Sequence, residues 1–212
     1  NLAKSIADAV TAAPAEGGAG EAPAINLEKL VEASAFENLK TDYADNADYL
    51  NLLSKNEDKA DDISYALGFV EKGSDQEAAL FANLNKMDDL IDLGLKYEED
   101  ADKMQVIFNN LDRVDSLREL ADELSVYPER IKMVFENADK ADALLGTYRD
   151  VEKSGSAGLM DDLFASQDKM AETMESQGLI KLTAEYPEHE QAIRENRSKA
   201  AEIAATAEKF KD

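Results

Sequence analysis

The single histidine of the chain, His189, is the first candidate for chemistry, because histidine is the most frequent general acid or base in enzymes. It stands in the sequence HEQAI, which lacks the second histidine that a zinc-protease helix requires. The chain has no cysteine, so a nucleophile–base pair could use only this histidine. We interpret His189 as a solvated surface residue. The sequence therefore predicts no catalytic residue and no cofactor, and a protein that is not an enzyme.

Two dense runs of acidic residues, DYADNAD at 42–48 and YEEDAD at 97–102, carry the oxygen ligands that Ca²⁺ prefers. Neither run has the central glycine of a calcium-binding loop, and neighbouring acids within a helix point to different faces. We interpret both runs as helix caps and solvated faces, and we predict no metal site. A calcium-responsive module is the alternative interpretation of these runs.

The chain is strongly acidic, with 46 Asp and Glu residues against 23 Lys and Arg residues and a formal net charge of −23. Such a surface repels phosphate groups, so nucleic acid is excluded as an expected partner. No apolar run reaches the roughly 20 residues of a membrane span, which predicts no direct insertion into membranes. The acidic coat suits a salty environment and favours an extracellular or cell-surface location over a cytoplasmic one.

A polar motif recurs four times in the middle of the chain. The copies NEDKADDI, NLNKMDDL, NLDRVDSL and NADKADAL begin at positions 56, 83, 110 and 137, so each begins 27 residues after the last. The recurring motif positions are Asn56, Asp58, Asp61, Asn83, Asn85, Asp88, Asn110, Asp112, Asp115, Asn137, Asp139 and Asp142. Self-similarity at a fixed interval indicates a repeat architecture. With few prolines and glycines, the sequence predicts an all-α helical-repeat array, either α-solenoid-like or an extended helical bundle.

The apolar spacing indicates that each unit contains two short helices. At about 100° per residue, the apolar face turns by roughly 110° between the two halves of a unit, which one straight helix cannot accommodate. The motif supplies a break. Its Asn is predicted to end a helix in the left-handed conformation, and the Asp or Asn two residues later to N-cap the next helix. The acid three residues further on favours the positive helix N-terminus. A single long helix per unit is the alternative.

The copies and the breaker residues between them also predict how the chain is divided. We expect an arm helix at 1–12, a flexible linker at 13–24, capping helices at 25–47, four 27-residue repeats at 48–155, a degenerate capping repeat at 156–184 and a C-terminal helix at 185–212. Leu2, Ile6 and Val10 form an apolar stripe on the first segment. We predict that this stripe links subunits; a frayed terminus is the alternative.

These features predict a non-catalytic structural or scaffolding protein that self-associates or forms part of a larger assembly. Its expected partners are proteins, either copies of itself or other subunits. The alternative is an adaptor that binds a basic protein or peptide on an acidic helical surface.

Overall fold

The computed structural model describes residues 27–196 and Lys199. Thirteen α-helices and no β-strand are present in these residues, which confirms the all-α prediction. The chain divides into two compact units, residues 1–98 and 99–212. None of the described helices is both long and apolar enough to cross a membrane.

In the first unit the described helices are α1 (Leu27–Asp42), α2 (Ala47–Ser54), α3 (Ala60–Leu67), α4 (Asp75–Ala82) and α5 (Met87–Tyr97). Two short 3₁₀ helices join them in pairs: Glu57–Lys59 lies between α2 and α3, and Leu84–Lys86 lies between α4 and α5. Helix α1 packs against α2 and α3, and α3 packs against α4 and α5.

In the second unit the described helices are α6 (Ala101–Asn109), α7 (Val114–Glu123), α8 (Pro128–Glu136), α9 (Ala141–Ser154), α10 (Ala157–Leu163), α11 (Gln167–Glu175), α12 (Gln177–Glu185) and α13 (Glu190–Glu195). The 3₁₀ helices Leu111–Arg113, Ala138–Lys140 and Pro187–His189 precede α7, α9 and α13. Helix α7 packs against α8 and α9, and α9 packs against α10, α11 and α12.

Each motif copy lies at the break between two helices. The 3₁₀ helices of the four copies begin at Glu57, Leu84, Leu111 and Ala138, and the helices after them begin at Ala60, Met87, Val114 and Ala141. The 27-residue spacing of the sequence is therefore kept by the secondary structure, and a single long helix per copy is wrong. The break allows both apolar faces of a copy to be buried.

The buried residues are those that the apolar spacing selects. Before the break the buried side chains include Leu53, Leu80, Ile107 and Val134, and after it Ile63, Leu90, Leu117 and Leu144. Burying a side chain of this size stabilises a fold by about 1.5–3 kcal/mol. The pattern of the core therefore repeats with the motif.

Within the segment predicted as a C-terminal helix, 185–212, the described residues contain the 3₁₀ helix Pro187–His189 and the helix α13 (Glu190–Glu195). Helix α12 ends at Glu185, and α13 ends at Glu195. The Nδ2 of Asn196 donates to the carbonyl oxygen of Ala192 at 2.8 Å. The predicted arm at 1–12 and linker at 13–24 lie outside the described residues.

Candidate functional site: the asparagine junctions

The four motif asparagines cap the helices that end at them. In each copy the side-chain Nδ2 donates to the carbonyl oxygen four residues earlier: Asn56 to Leu52 at 2.9 Å, Asn83 to Ala79 at 2.8 Å, Asn110 to Val106 at 2.9 Å and Asn137 to Met133 at 2.8 Å. The backbone N–H of the same Asn donates to the carbonyl oxygen three residues earlier. One residue therefore satisfies two of the carbonyl groups that a helix C-terminus leaves unpaired.

The predicted left-handed conformation of these asparagines is wrong. Their φ angles are −130°, −122°, −132° and −125°, and the positive φ angles in the described residues belong to Gly73 and Gly155. The reason lies in the next turn. Each Asn carbonyl oxygen accepts the N–H of the Lys or Arg three residues later, at 2.9–3.1 Å, so the chain continues directly into a 3₁₀ turn.

The predicted N-caps are also wrong. Asp58, Asn85, Asp112 and Asp139 lie inside the 3₁₀ turns. The residue before each second helix is basic (Lys59, Lys86, Arg113 or Lys140), and none of these four makes a side-chain capping bond. The first N–H of each second helix already donates to a carbonyl of the turn. Fewer unpaired N–H groups therefore remain for a side chain to cap. The acids Asp61, Asp88, Asp115 and Asp142 do lie in the first turns of the second helices, where a negative charge is favourable.

A link between consecutive copies was missed by the sequence analysis. Lys59 Nζ of the first copy lies 2.7 Å from Asp88 Oδ1 of the second copy. In the second unit Arg113 Nε lies 3.9 Å from Asp142 Oδ2, and Ser116 Oγ donates to Asp142 Oδ1 at 2.6 Å. The basic residue at the fourth motif position therefore meets the acid at the sixth position of the next copy. The signal was present in the motif, since these two charge types recur at fixed positions.

Further side-chain bonds also join residues about one repeat length apart. Tyr65 Oη donates to Glu98 Oε2 at 3.3 Å across 33 residues, Arg149 Nε to Glu119 Oε1 at 3.0 Å across 30 residues, and Gln177 Nε2 to Asp150 Oδ2 at 2.7 Å across 27 residues. These contacts connect the first copy with the second, the third copy with the fourth, and the fourth copy with the segment after it.

The first helices of three of the four copies begin with side-chain caps. Asn46, Ser74 and Asp100 accept the backbone N–H of the residue three positions later, each at 3.1 Å. Ser74 accepts the N–H of Glu77, and Glu77 Oε2 accepts the N–H of Gly73 at 2.9 Å, one residue before the N–H that a standard capping box would use. Asn46 and Asp100 belong to the two acidic runs, so the interpretation of those runs as containing helix caps is confirmed at these positions.

Two carboxyl groups at the helix junctions have shifted pKa values, in opposite directions. Burial, and then the charges of Asp61 and Asp88, raise the pKa of Asp62, while Lys59 opposes this effect. A hydrogen bond from the Lys103 side chain lowers the pKa of Asp100. Among the described residues, no group of three or more His, Asp or Glu side chains is placed to hold a metal ion.

The histidine and the N-terminal apolar stripe were the other features singled out in the sequence. His189 ends the 3₁₀ helix Pro187–His189. Leu2, Ile6 and Val10 lie outside the described residues, so the assembly arm stays a prediction.

In comparisons with known proteins, no family model, no curated protein and no solved structure matches this chain.

Proposed function

We propose that this chain is a non-catalytic helical-repeat scaffold, in which 27-residue units stack on their neighbours and which self-associates or forms part of a larger assembly. The observation that carries the proposal is the recurring junction of helix, asparagine cap, 3₁₀ turn and helix. In repeat proteins each unit contacts mainly the units beside it. The Lys59–Asp88 and Arg113–Asp142 contacts support such stacking, because each joins one motif copy to the next.

A deletion in register with the repeat tests the stacking. Removing residues 84–110 joins Asn83 to Leu111 and keeps an intact junction, with Asp115 in the place of Asp88. We expect this variant to unfold cooperatively, with fewer helical residues, because each remaining 27-residue repeat regains a neighbour of the same kind. A matched control removes residues 84–103 and shifts the register. Equal loss of cooperative unfolding in both variants, measured by circular dichroism in urea, would contradict the stacking.

Light scattering tests the scaffold function itself. We expect the full chain to form assemblies whose mass rises with concentration, and the chain lacking residues 1–24 to stay monomeric. The control carries Leu2→Ser, Ile6→Ser and Val10→Ser in the full chain, so that only the apolar stripe is lost. A monomer at every concentration and at both low and moderate salt would contradict self-association.

The second candidate function, an adaptor for a basic protein or peptide, is favoured by one specific observation. The side chains of Val126 and Tyr127 are 75% and 48% exposed, and they lie beside the exposed acids Glu123 and Glu129. Apolar side chains surrounded by acids are typical of a surface that binds an amphipathic partner. A strictly monomeric chain that binds basic peptides would support this function over self-assembly.

A further inference from the structure

An exposed group of apolar side chains lies at the start of α8. Val126 is the most exposed large hydrophobic residue in the described part of the chain, and Tyr127 follows it directly. The guanidinium carbon of Arg130 lies 4.6 Å from the centre of the Tyr127 ring and 5.2 Å from the centre of the Phe164 ring. Arg130 therefore joins the two rings into one surface. We refer to Val126, Tyr127, Arg130 and Phe164 as the third-junction patch.

The patch departs from the repeat at its most exposed positions. Val126 and Tyr127 stand 16 and 17 residues after Asn110. The same positions after the other motif asparagines are occupied by Lys72 and Gly73, Glu99 and Asp100, and Lys153 and Ser154. The break before α8, which follows the third motif copy and is called the third junction here, alone has two large apolar residues at these positions. Their side chains are nevertheless 75% and 48% exposed.

Tyr127 also replaces a helix cap. The residues at the starts of α2, α4 and α6 (Asn46, Ser74 and Asp100) each accept a backbone N–H with a side-chain oxygen. Tyr127 has φ −121° and ψ 79°, close to the −108° and 90° of Asp100, but it makes no side-chain cap. The backbone is therefore suited to a capping residue that the sequence does not supply. Local rules of folding are most often broken where function requires another residue.

Acidic residues accompany the patch: Glu123 and Glu129 stand on either side of Val126 and Tyr127 in the sequence, and Asp161 contacts Arg130. Glu123 and Glu129 are exposed, and within the described part of the chain neither forms an ion pair or a side-chain hydrogen bond. Asp161 Oδ1 lies 3.3 Å from Arg130 Nη2, and the Asp161 side chain is 76% exposed. Arg130 already has a carboxylate partner, so the free charge around the patch is negative.

We propose that the third-junction patch is a docking site for a protein segment that carries both apolar and basic side chains. Tyrosine and arginine are over-represented among the residues that dominate binding energies, and the two rings and Val126 supply apolar area. The surrounding carboxylates supply complementarity to Lys or Arg. A second copy of the chain is a poor occupant, because it brings another net charge of −23. The inference rests on the adaptor form of the proposed function and names its partner.

A defined peptide tests the docking site. The probe is a fluorescent amphipathic helix made of leucine and lysine, and its binding to the full chain is measured by anisotropy at moderate salt. The test variant is Val126→Ser with Tyr127→Asn, which removes the apolar side chains and restores a cap. The matched control is Val31→Ser with Leu95→Ser, since these side chains are 57% and 55% exposed in the other unit. We expect the test variant to bind about tenfold more weakly and the control to bind like the original chain.

Three outcomes would overturn the docking site. The first is equal binding by the test variant and the original chain. The second is an equal loss in the control, and the third is equally tight binding of a lysine-only peptide, which would assign the binding to charge alone. Circular dichroism of the test variant excludes unfolding as a cause. Light scattering of the same samples separates this result from self-association, because a dimer that the test variant abolishes would make the patch an interface between copies.

Discussion

The hydroxyl of Tyr43, in the turn after α1, donates to Glu77 Oε1 on α4 at 2.5 Å. Glu77 is 4% exposed, and its second oxygen accepts the N–H of Gly73 at 2.9 Å. The Tyr43 ring meets the rings of Tyr49 and Phe81 edge-on, with centroids 5.6 Å and 5.1 Å away. Burial, together with the bond to Glu77, raises the pKa of Tyr43. A buried carboxylate is tolerated when its oxygens have donors, and here both do.

Removing the Tyr43 hydroxyl should destabilise the protein. Tyr43→Phe leaves a buried carboxylate oxygen without its donor, at an expected cost of about 1–3 kcal/mol in the free energy of unfolding. The matched control is Tyr65→Phe, because Tyr65 donates to Glu98 at 3.3 Å in an exposed position. Urea denaturation at neutral pH compares the two variants. Equal losses of stability would show that the buried Tyr43–Glu77 bond contributes no more than the exposed Tyr65–Glu98 bond.

The asparagine cap predicts an unusual order of substitutions at Asn110. Asn110→Ala removes the bond to the Val106 carbonyl and should cost about 1 kcal/mol. Asn110→Gly should cost at least as much, because the φ of −132° makes no use of the freedom of glycine. Asp112→Ala, the matched control inside the 3₁₀ turn, should cost less, because its ion pair with Arg113 is largely exposed to solvent. A glycine variant more stable than the alanine variant in thermal melts would restore the left-handed interpretation.

The pKa of Asp62 predicts a pH effect of known sign. Since burial raises this pKa in the folded state, the folded chain binds the proton more tightly than the unfolded chain does. The contribution of Asp62 to stability is therefore fully present below the ordinary pKa of 3.8 and is lost as the pH rises through the raised pKa of the folded state. Asp62→Asn should be more stable than the original chain at pH 7, with a smaller advantage near pH 4. The control is Asp45→Asn, at an exposed position; an equal gain there would assign the effect to net charge.

The Lys59–Asp88 pair should contribute only weakly. The Asp88 side chain is 78% exposed, so the coupling energy in a double-mutant cycle of Lys59→Met and Asp88→Asn is expected to be about 0–1 kcal/mol. Added salt should reduce it, since exposed charges are screened. A coupling that is larger and insensitive to salt would indicate that the pair is better shielded from water than its exposure suggests.

Replacing Tyr127 by a capping residue should stabilise the protein. Tyr127→Asn should add the missing cap and raise the free energy of unfolding by up to about 1 kcal/mol, because the backbone already has the geometry of a capped residue. Val126→Ser is the control and should leave stability unchanged. A loss of stability in the asparagine variant would show that the Tyr127 ring supports folding through Arg130.

The all-α structure and the break within each motif copy could be predicted because both depend on local spacing. The change of apolar face between Leu53 and Ile63 requires a break, and the break is present. The way in which Asn56 ends the helix could not be decided in advance. Asparagine favours both a left-handed residue and a side-chain cap, and the choice depends on the backbone bond that Lys59 makes. The Lys59–Asp88 contact joins residues 29 apart, so only the folded chain brings them together.

The short chain separation of the cross-copy bonds has a mechanical consequence. Ser116 and Asp142 are 26 residues apart, and Tyr65 and Glu98 are 33 residues apart. Each such bond closes a loop of about one repeat length, so unfolding of that loop leaves the more distant bonds in place. A chain pulled from its two ends should therefore lengthen in small successive steps, each releasing roughly 90 Å of extended chain at about 3.3–3.6 Å per residue. Refolding of such a segment would require only short loops to close, which costs little loop entropy.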